Sequence, residues 1–546
     1  MVIRGCFHAP DHHVRKRLVG AGLRGDNEPM SKPSIQPAPA SDAPIEADST
    51  LLADADACYR AMQSHDARFD GRFFVAVRTT RIYCRPVCRV RLPRQENCHF
   101  YPSAAAAEGA GFRPCLRCRP ELAPGWAAID STSQLARAAA HLIDTSLADG
   151  TDLAAVAQRI GVTDRHLRRL FDAHFGVSPV AYAQTQRLLL AKRLLTDTAL
   201  PVAQIAQAAG FGSVRRLNAS MRERYRLTPT ELRRKRVAVA SARRSGVVID
   251  SSQADGALAF RLPLRQPYDW SHLHGFLSSR LIDGLEVSGA DDYRRVVSID
   301  TADGLLVGWI SAAVNPQQSV LVLSVSTELA MALAQVLPLA RSLFDLDTDP
   351  ETVTQALGEL AAPRPGLRLP GAVSGFEIAV RAVLGQQITV KAARTLAARF
   401  VQTFGEPCTF AAQPALTRAF PTPARIAQAS AEQIGLLGII RRRVQTIQML
   451  ATQLAEGRLI LHPGAPVEAT LEALKALPGI GDWTAQYIAM RALRWPDAFP
   501  AADYGVMKAL AVKTPAQASR AAQAWRPWRA YAVMHLWAQL AEEQTT

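Results

Sequence analysis

Cys84 and Cys88 stand in "TTRIYCRPVCRVR" (79–91), and Cys115 and Cys118 in "GFRPCLRCRPE" (111–121). A CxxxC pair and a CxxC pair with 26 residues between them can deliver four thiolates to one tetrahedral ion, as structural zinc requires. A thiolate set among arginines is also a nucleophile, so spacing alone leaves open a metal ligand, a reagent, or an inert thiol. Cys58, Cys98 and Cys408 stand apart from this pattern and read as packing residues. A second reactive position lies far downstream, where "DAFPAADYGVMKAL" (497–510) offers Asp503 behind Ala502, a single carboxylate for acid–base or electrostatic work. Before it, "LKALPGIGDWTAQYIAMRAL" (474–493) places Gly479 and Gly481 between two helical patterns. Glycines there let backbone N–H groups come close to a phosphate at a helix N-terminus. Trp483 and Tyr487 follow on the departing helix.

These positions need elements to hold them, and 546 residues predict three or four domains. A hydrophobic content of 48% suffices for several cores, and the net charge of +15 points to a polyanion, above all nucleic acid. Eight cysteines, unevenly spread, do not make a disulfide framework, so a reducing cytoplasm is expected, with the protein associated with the nucleoid. No apolar run is long enough to span a bilayer, and no signal-like apolar segment follows the charged start.

Residues 24–50 are rich in Pro, Ala and Ser, and 1–50 read as a disordered extension. Residues 51–125 hold the cysteines, led by the strand-like "RFFVAVRTTRIY". Residues 130–236 are helical, 237–255 a basic linker, and 256–362 carry the strand-like "RRVVSID", "LLVGWISA" and "SVLVLSV". Residues 363–546 show apolar positions at helical spacing with Pro and Gly between. The expected fold is therefore multidomain α+β. It comprises a small zinc-bearing α/β domain, an all-α block, a mixed α/β domain with an antiparallel sheet, and an all-α domain around the hairpin.

Within the helical block, "IGVTDRHLRRLFDAHFGVSPVAY" (160–182) aligns with "AGFGSVRRLNASMRERYRLTPTEL" (209–232), about fifty residues on. Each copy reads as a helix, a Gly turn and a helix with arginines on its polar face, a helix-turn-helix. The block resembles the AraC-type tandem helix-turn-helix domain. The resemblance implies recognition helices near 164–174 and 213–224. DNA contacts are then expected from Arg165, His166, Arg168 and Arg169 in the first, and from Ser213, Arg215, Arg216 and Asn218 in the second.

The cysteine segments resemble the N-terminal domain of Ada-type adaptive-response proteins. That resemblance implies one zinc ion on Cys84, Cys88, Cys115 and Cys118, with Cys84 taking a methyl group irreversibly from a DNA methylphosphotriester. Four thiolates on Zn²⁺ carry a formal charge of about −2, which methylation lowers to about −1, so repulsion from DNA falls. Thr80, Arg91, Arg113 and Arg117 are the implied phosphate contacts. The Pro-Cys-His-Arg motif of an alkylguanine acceptor is absent; "EPCTF" around Cys408 is not one.

A hairpin, a Pro-rich loop and then Asp503 form the signature of the helix-hairpin-helix–Gly/Pro/Asp glycosylases. "PLRQPYDWSHLHGFLSSR", "RSLFDLDTDP", "RPGLRLPGAVSGFEIAVRAVLGQQ" and "WRPWRAYAVMHLW" extend the resemblance to the 3-methyladenine DNA glycosylase II family over nearly all of 256–540. It implies Asp503 as the catalytic carboxylate and Trp483, Tyr487, Trp537 and Phe276 around a flipped cationic base. Gln387 stands where that family places an apolar wedge. Trp483 occupies the place of the lysine of bifunctional relatives, so a monofunctional enzyme is expected. No cysteine follows Cys408, so no iron–sulfur cluster is expected. The expected partners are alkylated and promoter double-stranded DNA and RNA polymerase, with no membrane and a monomeric state. The alternative is a transcription factor with a structural zinc site and a non-catalytic, DNA-binding C-terminal half.

Overall fold

The computed structural model describes residues 52, 54–65, 69–123, 134–147, 152–242, 257–301 and 304–543. The expected extension at 1–50 lies outside these residues, as does most of the expected linker. Among the described residues no helix is long and apolar enough to cross a membrane. The architecture is multidomain, with two sheets and two helical regions.

The first sheet comprises β1 (Phe74–Val77), β2 (Ile82–Cys84), β3 (Cys98–Tyr101) and β4 (Arg113–Pro114), in the order β3-β1-β2-β4. β1 pairs antiparallel with β2 and β3, whereas β2 and β4 run parallel, Tyr83 opposite Pro114. Parallel strands need a crossover connection, here the helix Ala104–Gly109, whose side chains are almost all buried.

Both copies of the repeat fold alike. The helices Asp164–Phe175 and Val214–Tyr225 bury Leu167, Phe171 and Phe175 in one and Leu217, Met221 and Tyr225 in the other, a four-residue step that keeps one face apolar. Each is preceded by a left-handed glycine, Gly161 (φ 74°) and Gly210 (φ 72°). A Cβ at Gly210 would come 1.8 Å from the Leu147 carbonyl oxygen, so only glycine fits that turn. The final helix, Pro229–Ala242, continues six residues into the segment read as linker, because "RVAVASA" has no breaker before it.

The second sheet is an antiparallel meander of β5 (Ala257–Pro263), β6 (Glu286–Ser288), β7 (Asp292–Thr301), β8 (Gly304–Asn315) and β9 (Val320–Ser326), ordered β5-β9-β8-β7-β6. Alternation buries Leu258, Phe260 and Leu262 of β5, with the Arg193 guanidinium 5.5 Å from the Phe260 ring, in the core shared with the C-terminal region. A buried four-charge cluster joins the two. Arg295 Nη2 donates to Glu377 Oε2 at 2.6 Å, Arg381 Nη2 donates to Glu286 Oε2 at 2.6 Å, and Arg381 Nε donates to Glu377 Oε1 at 3.0 Å. Breaking such a cluster leaves an uncompensated buried charge, at about 3–5 kcal/mol. It fixes the helix Gly375–Leu384, which leads directly into Gln386 and Gln387.

The sequence blocks do not have separate cores. The 19-residue helix Pro179–Asp197 gives Leu188 to the core of the C-terminal half, Tyr182 and Ala183 to that of the first helix-turn-helix, and Leu189 to that of the first sheet. The helix is buried all round over Ala191–Thr196, where charges must be paired, and Lys192, 1% exposed, is salt-bridged to Glu121.

Candidate functional sites

The parallel pairing of β2 with β4 builds the first site. Cys84 ends β2 and Cys115 follows β4, and the Cys115 N–H donates to the Tyr83 carbonyl at 2.9 Å, so the two cysteines stand side by side. Cys88 and Cys118 close the group, and the four sulfurs lie within 4.8 Å of one another. A tetrahedron of Zn–S bonds near 2.3 Å has edges of about 3.8 Å, so this donor set fits zinc. Cys84, Cys88 and Cys115 are buried. Hydrogen bonding to Cys115 and to the other two thiols pushes Cys84 up, while the bond with Cys118 pulls Cys115 down. One cation satisfies all four as thiolates. Backbone N–H groups of Arg85 and Arg117 donate to Cys118 and Cys115 sulfur, each at 3.4 Å. Arg85 is itself committed inward, donating to Asp70 Oδ1 at 2.8 Å and to the Cys118 carbonyl at 3.1 Å. Cys58, Cys98 and Cys408 lie outside the cluster, each pushed up to about 11 chiefly by burial.

Thr80, Arg91 and Arg117 are exposed, and Arg113 is half-buried on β4. On the helix-turn-helix helices Arg165, Arg168, Arg169, Arg215 and Arg216 are exposed. Ser213, by contrast, caps its helix by accepting from Arg216 N at 3.2 Å, and Asn218 Nδ2 donates to the Val214 carbonyl at 2.9 Å.

The second site is assembled from three segments. Asp503 caps the short helix Tyr504–Ala509, its Oδ1 accepting from Val506 N at 3.0 Å. Trp537 Nε1, from the C-terminal helix Arg529–Glu543, donates to the same oxygen at 2.9 Å. Trp483 Nε1, from the helix Asp482–Arg491, donates to Oδ2 at 2.9 Å. Three donors aim the carboxylate. Oδ1 accepts two bonds and Oδ2 one, which leaves Oδ2 the freer acceptor.

Trp483 and Tyr487, four residues apart on one helix face, stack at 5.6 Å with an interplanar angle of 12°, and Tyr487 lies 6.4 Å from Trp537. A ring sandwiched between two others needs about 7 Å, so a base would meet an outer face of this pair. Phe276 reaches the group through Arg491, which lies 5.0 Å from its centroid and donates to Tyr487 Oη at 3.0 Å. Arg280 covers Phe276 at 3.8 Å, and the ring is 8% exposed. The two guanidiniums are residues that sequence reasoning missed, because an arginine beside aromatic residues has no spacing signature.

The hairpin lies alongside. Gly479 has φ 91°, and a Cβ there would come 2.1 Å from Thr446 Oγ1. A Cβ at Gly481 would meet nothing within 4 Å, so the need for glycine there does not come from this chain's own packing. Gln386, also missed, donates to the Gly479 carbonyl at 2.9 Å and to Thr484 Oγ1 at 3.0 Å. Gln387 is exposed at the tip of that turn, with φ 55°.

A 499-residue alignment at 40% identity, covering 89% of this chain and 97% of the relative, joins it to the "Probable bifunctional transcriptional activator/DNA repair enzyme AlkA" of Mycobacterium tuberculosis. The chain belongs to this family. Residues 57–121 match the metal-binding domain of Ada, 156–235 a helix-turn-helix domain, 259–374 the AlkA N-terminal domain, and 380–524 the HhH-GPD superfamily of base excision DNA repair proteins. The two halves of the family's architecture also occur apart. "DNA-3-methyladenine glycosylase 2" of Escherichia coli is 37% identical over 278 residues, 51% of this chain and 96% of that one. "Bifunctional transcriptional activator/DNA repair enzyme Ada" of the same organism is 39% identical over 139 residues, 25% of this chain and 37% of that one.

Proposed function

We propose that this protein excises alkylated bases of the 3-methyladenine type from DNA as a monofunctional glycosylase, accepts a methyl group from DNA methylphosphotriesters on zinc-bound Cys84, and regulates transcription in response. The observation that carries the glycosylase reading is Asp503, a carboxylate aimed by two indole N–H groups beside the stacked Trp483 and Tyr487. A base alkylated at N3 or N7 is cationic and leaves readily, so a general acid is scarcely needed. Asp503 stabilises the positive charge that develops on the sugar and orients water for attack. Aromatic faces attract the cationic base by about 0.5–2 kcal/mol per contact. Gly479 and Gly481 present backbone N–H groups to phosphate, and Gln387 enters the gap left by the extruded base. No lysine stands at 483, so no Schiff base forms there.

Zinc held by Cys84, Cys88, Cys115 and Cys118 would keep Cys84 as the thiolate, whose sulfur attacks the methyl carbon. The S–C bond forms as the O–CH₃ bond breaks, and the electron pair stays on the phosphate oxygen, which becomes an ordinary diester anion. Cys84 is consumed as a thioether, the centre loses one negative charge, and Thr80, Arg91, Arg113 and Arg117 then hold DNA more tightly. Arg165, Arg168, Arg169, Arg215 and Arg216 serve promoter binding. A nucleoid-associated cytoplasmic location and recruitment of RNA polymerase belong to the same reading.

Two assays test it. Incubation with N-methylated DNA should release 3-methyladenine, and Asp503→Asn should release almost none; a wild type that releases no base refutes the glycosylase reading. After exposure to methylphosphotriester DNA, peptide mass spectrometry should find one methyl on Cys84, and an unmodified Cys84 refutes the acceptor reading.

A further inference from the structure

The zinc-bearing fold and the second helix-turn-helix meet at one buried carboxylate. Glu108 lies on the helix Ala104–Gly109 with its side chain fully removed from solvent. Tyr83 Oη donates to its Oε1 at 3.0 Å and Tyr225 Oη to the same oxygen at 3.1 Å. Its Oε2 accepts from Thr185 Oγ1 at 3.5 Å and faces Arg224 Nη1 at 3.6 Å. These partners come from β2, from the helix Pro179–Asp197 and from the last turn of Val214–Tyr225. Tyr83 immediately precedes Cys84, and its carbonyl holds the Cys115 N–H. β4, which leads into Cys115, packs directly against the helix Val214–Tyr225. Two hydrogen bonds through one carboxylate therefore separate the strand of the acceptor cysteine from the second recognition helix.

The Tyr83 bond to Glu108 lies within the zinc-bearing fold, and the bonds from Thr185 and Tyr225 and the Arg224 pair extend it to the helix-turn-helix. The zinc ligands are all sulfur. In the first repeat copy, the position of Tyr225 is filled by Phe175, which packs without a hydroxyl. Burying a carboxylate opposes folding, and burial pushes Glu108 up to about 7. Apolar residues in place of the whole cluster would fill the site at less cost, and what the buried polar cluster adds is a fixed register between the elements that share it.

We propose that Glu108 is a positioning residue that locks the second recognition helix to the acceptor strand, so that methylation of Cys84 is transmitted to DNA binding by that helix. This rests on the reading that Cys84 accepts a methyl group and that Val214–Tyr225 binds DNA. When two DNA-binding surfaces are held at one spacing, relief of repulsion at the first raises the affinity of the whole. Through a loose joint, little of that gain reaches the second.

The test uses the full-length zinc-loaded chain and a duplex enriched from a random pool by the methylated wild type. The quantity measured is the ratio of its affinities for that duplex after and before methylation. Measured above about pH 8, where Glu108 is ionised, Glu108→Gln and the milder Tyr225→Phe should each lose about tenfold or more of this ratio, as expected for a hydrogen bond to a charged group. Zinc content and the yield of methyl-Cys84 should stay at wild-type values. General destabilisation would weaken both affinities together and leave the ratio unmoved. A wild-type ratio in Tyr225→Phe, or in a folded Glu108→Gln, overturns the proposal. A wild type that takes no methyl on Cys84 fails differently, because it removes the acceptor reading beneath the proposal.

Discussion

The two reactive sites hold anions in opposite ways. At the zinc site, four thiols from one small sheet and its loops crowd within 4.8 Å, an arrangement that is stable as thiolates only around a cation. At Asp503 the anion is single, and neutral donors from two distant helices aim it: Trp483 and Trp537, each at 2.9 Å. A cation neutralises and can sustain a nucleophile that is used once. Neutral dipoles orient a carboxylate without quenching its charge, so it can stabilise a cationic sugar in turnover after turnover. On the proposed reading, Cys84 is used once because its thioether has no route back to the thiolate, whereas Asp503 forms no lasting bond and keeps its charge for the next turnover.

Zinc removal should break the comparison most severely. Structural zinc contributes about 10–16 kcal/mol to small zinc folds. A chelator should therefore expose residues 70–120 to proteolysis, while base release, measured on the same sample, persists. Next in size, Asp503→Asn should lower the rate of base release about 10²–10³-fold, with methyl-Cys84 formation unchanged by mass spectrometry. Gly479→Ala should cost about 1–3 kcal/mol in the affinity for a duplex carrying an abasic site, since the new Cβ collides with Thr446 and distorts the hairpin. Trp537→Phe keeps the ring and removes one donor to Asp503, and should slow single-turnover base release about tenfold. An unchanged rate would show that the indole N–H has no part in aiming the carboxylate.

The smallest effect is a pH slope. Burial holds Glu108 up at about 7 against an ordinary 4.5, with Tyr83, Thr185, Tyr225, Arg224 and Lys192 around it. Between these values the folded chain binds more protons at this group than the unfolded chain does, so its contribution to stability falls as pH rises through the window. Glu108→Gln should remove about 1–3 kcal/mol of that decline, read as a flatter plot of melting temperature against pH from 4.5 to 7.5.

Features of local geometry were legible in the order of residues alone. Cysteine spacing named the four ligands, the repeated Gly turn and arginine face named both helix-turn-helix units, and Pro-Gly-Ile-Gly followed by Asp503 named the hairpin and its carboxylate. Backbone turns and helix faces repeat over a few residues, so side-chain order suffices to reveal them. Whatever depends on packing between distant segments came from the folded chain. It placed Cys84 beside Cys115 through the parallel register of β2 and β4, and it turned two indole N–H groups onto one carboxylate. It covered Phe276 with Arg280 and Arg491, ran one helix through three cores, and buried Glu108 among partners from three elements. Nothing in the order "AAAAEG" marks its glutamate as buried, because the helix that packs over it comes from far along the chain. Which neighbours a side chain meets is settled by the fold as a whole, because burial and pairing are properties of both surfaces in a contact and not of either segment alone.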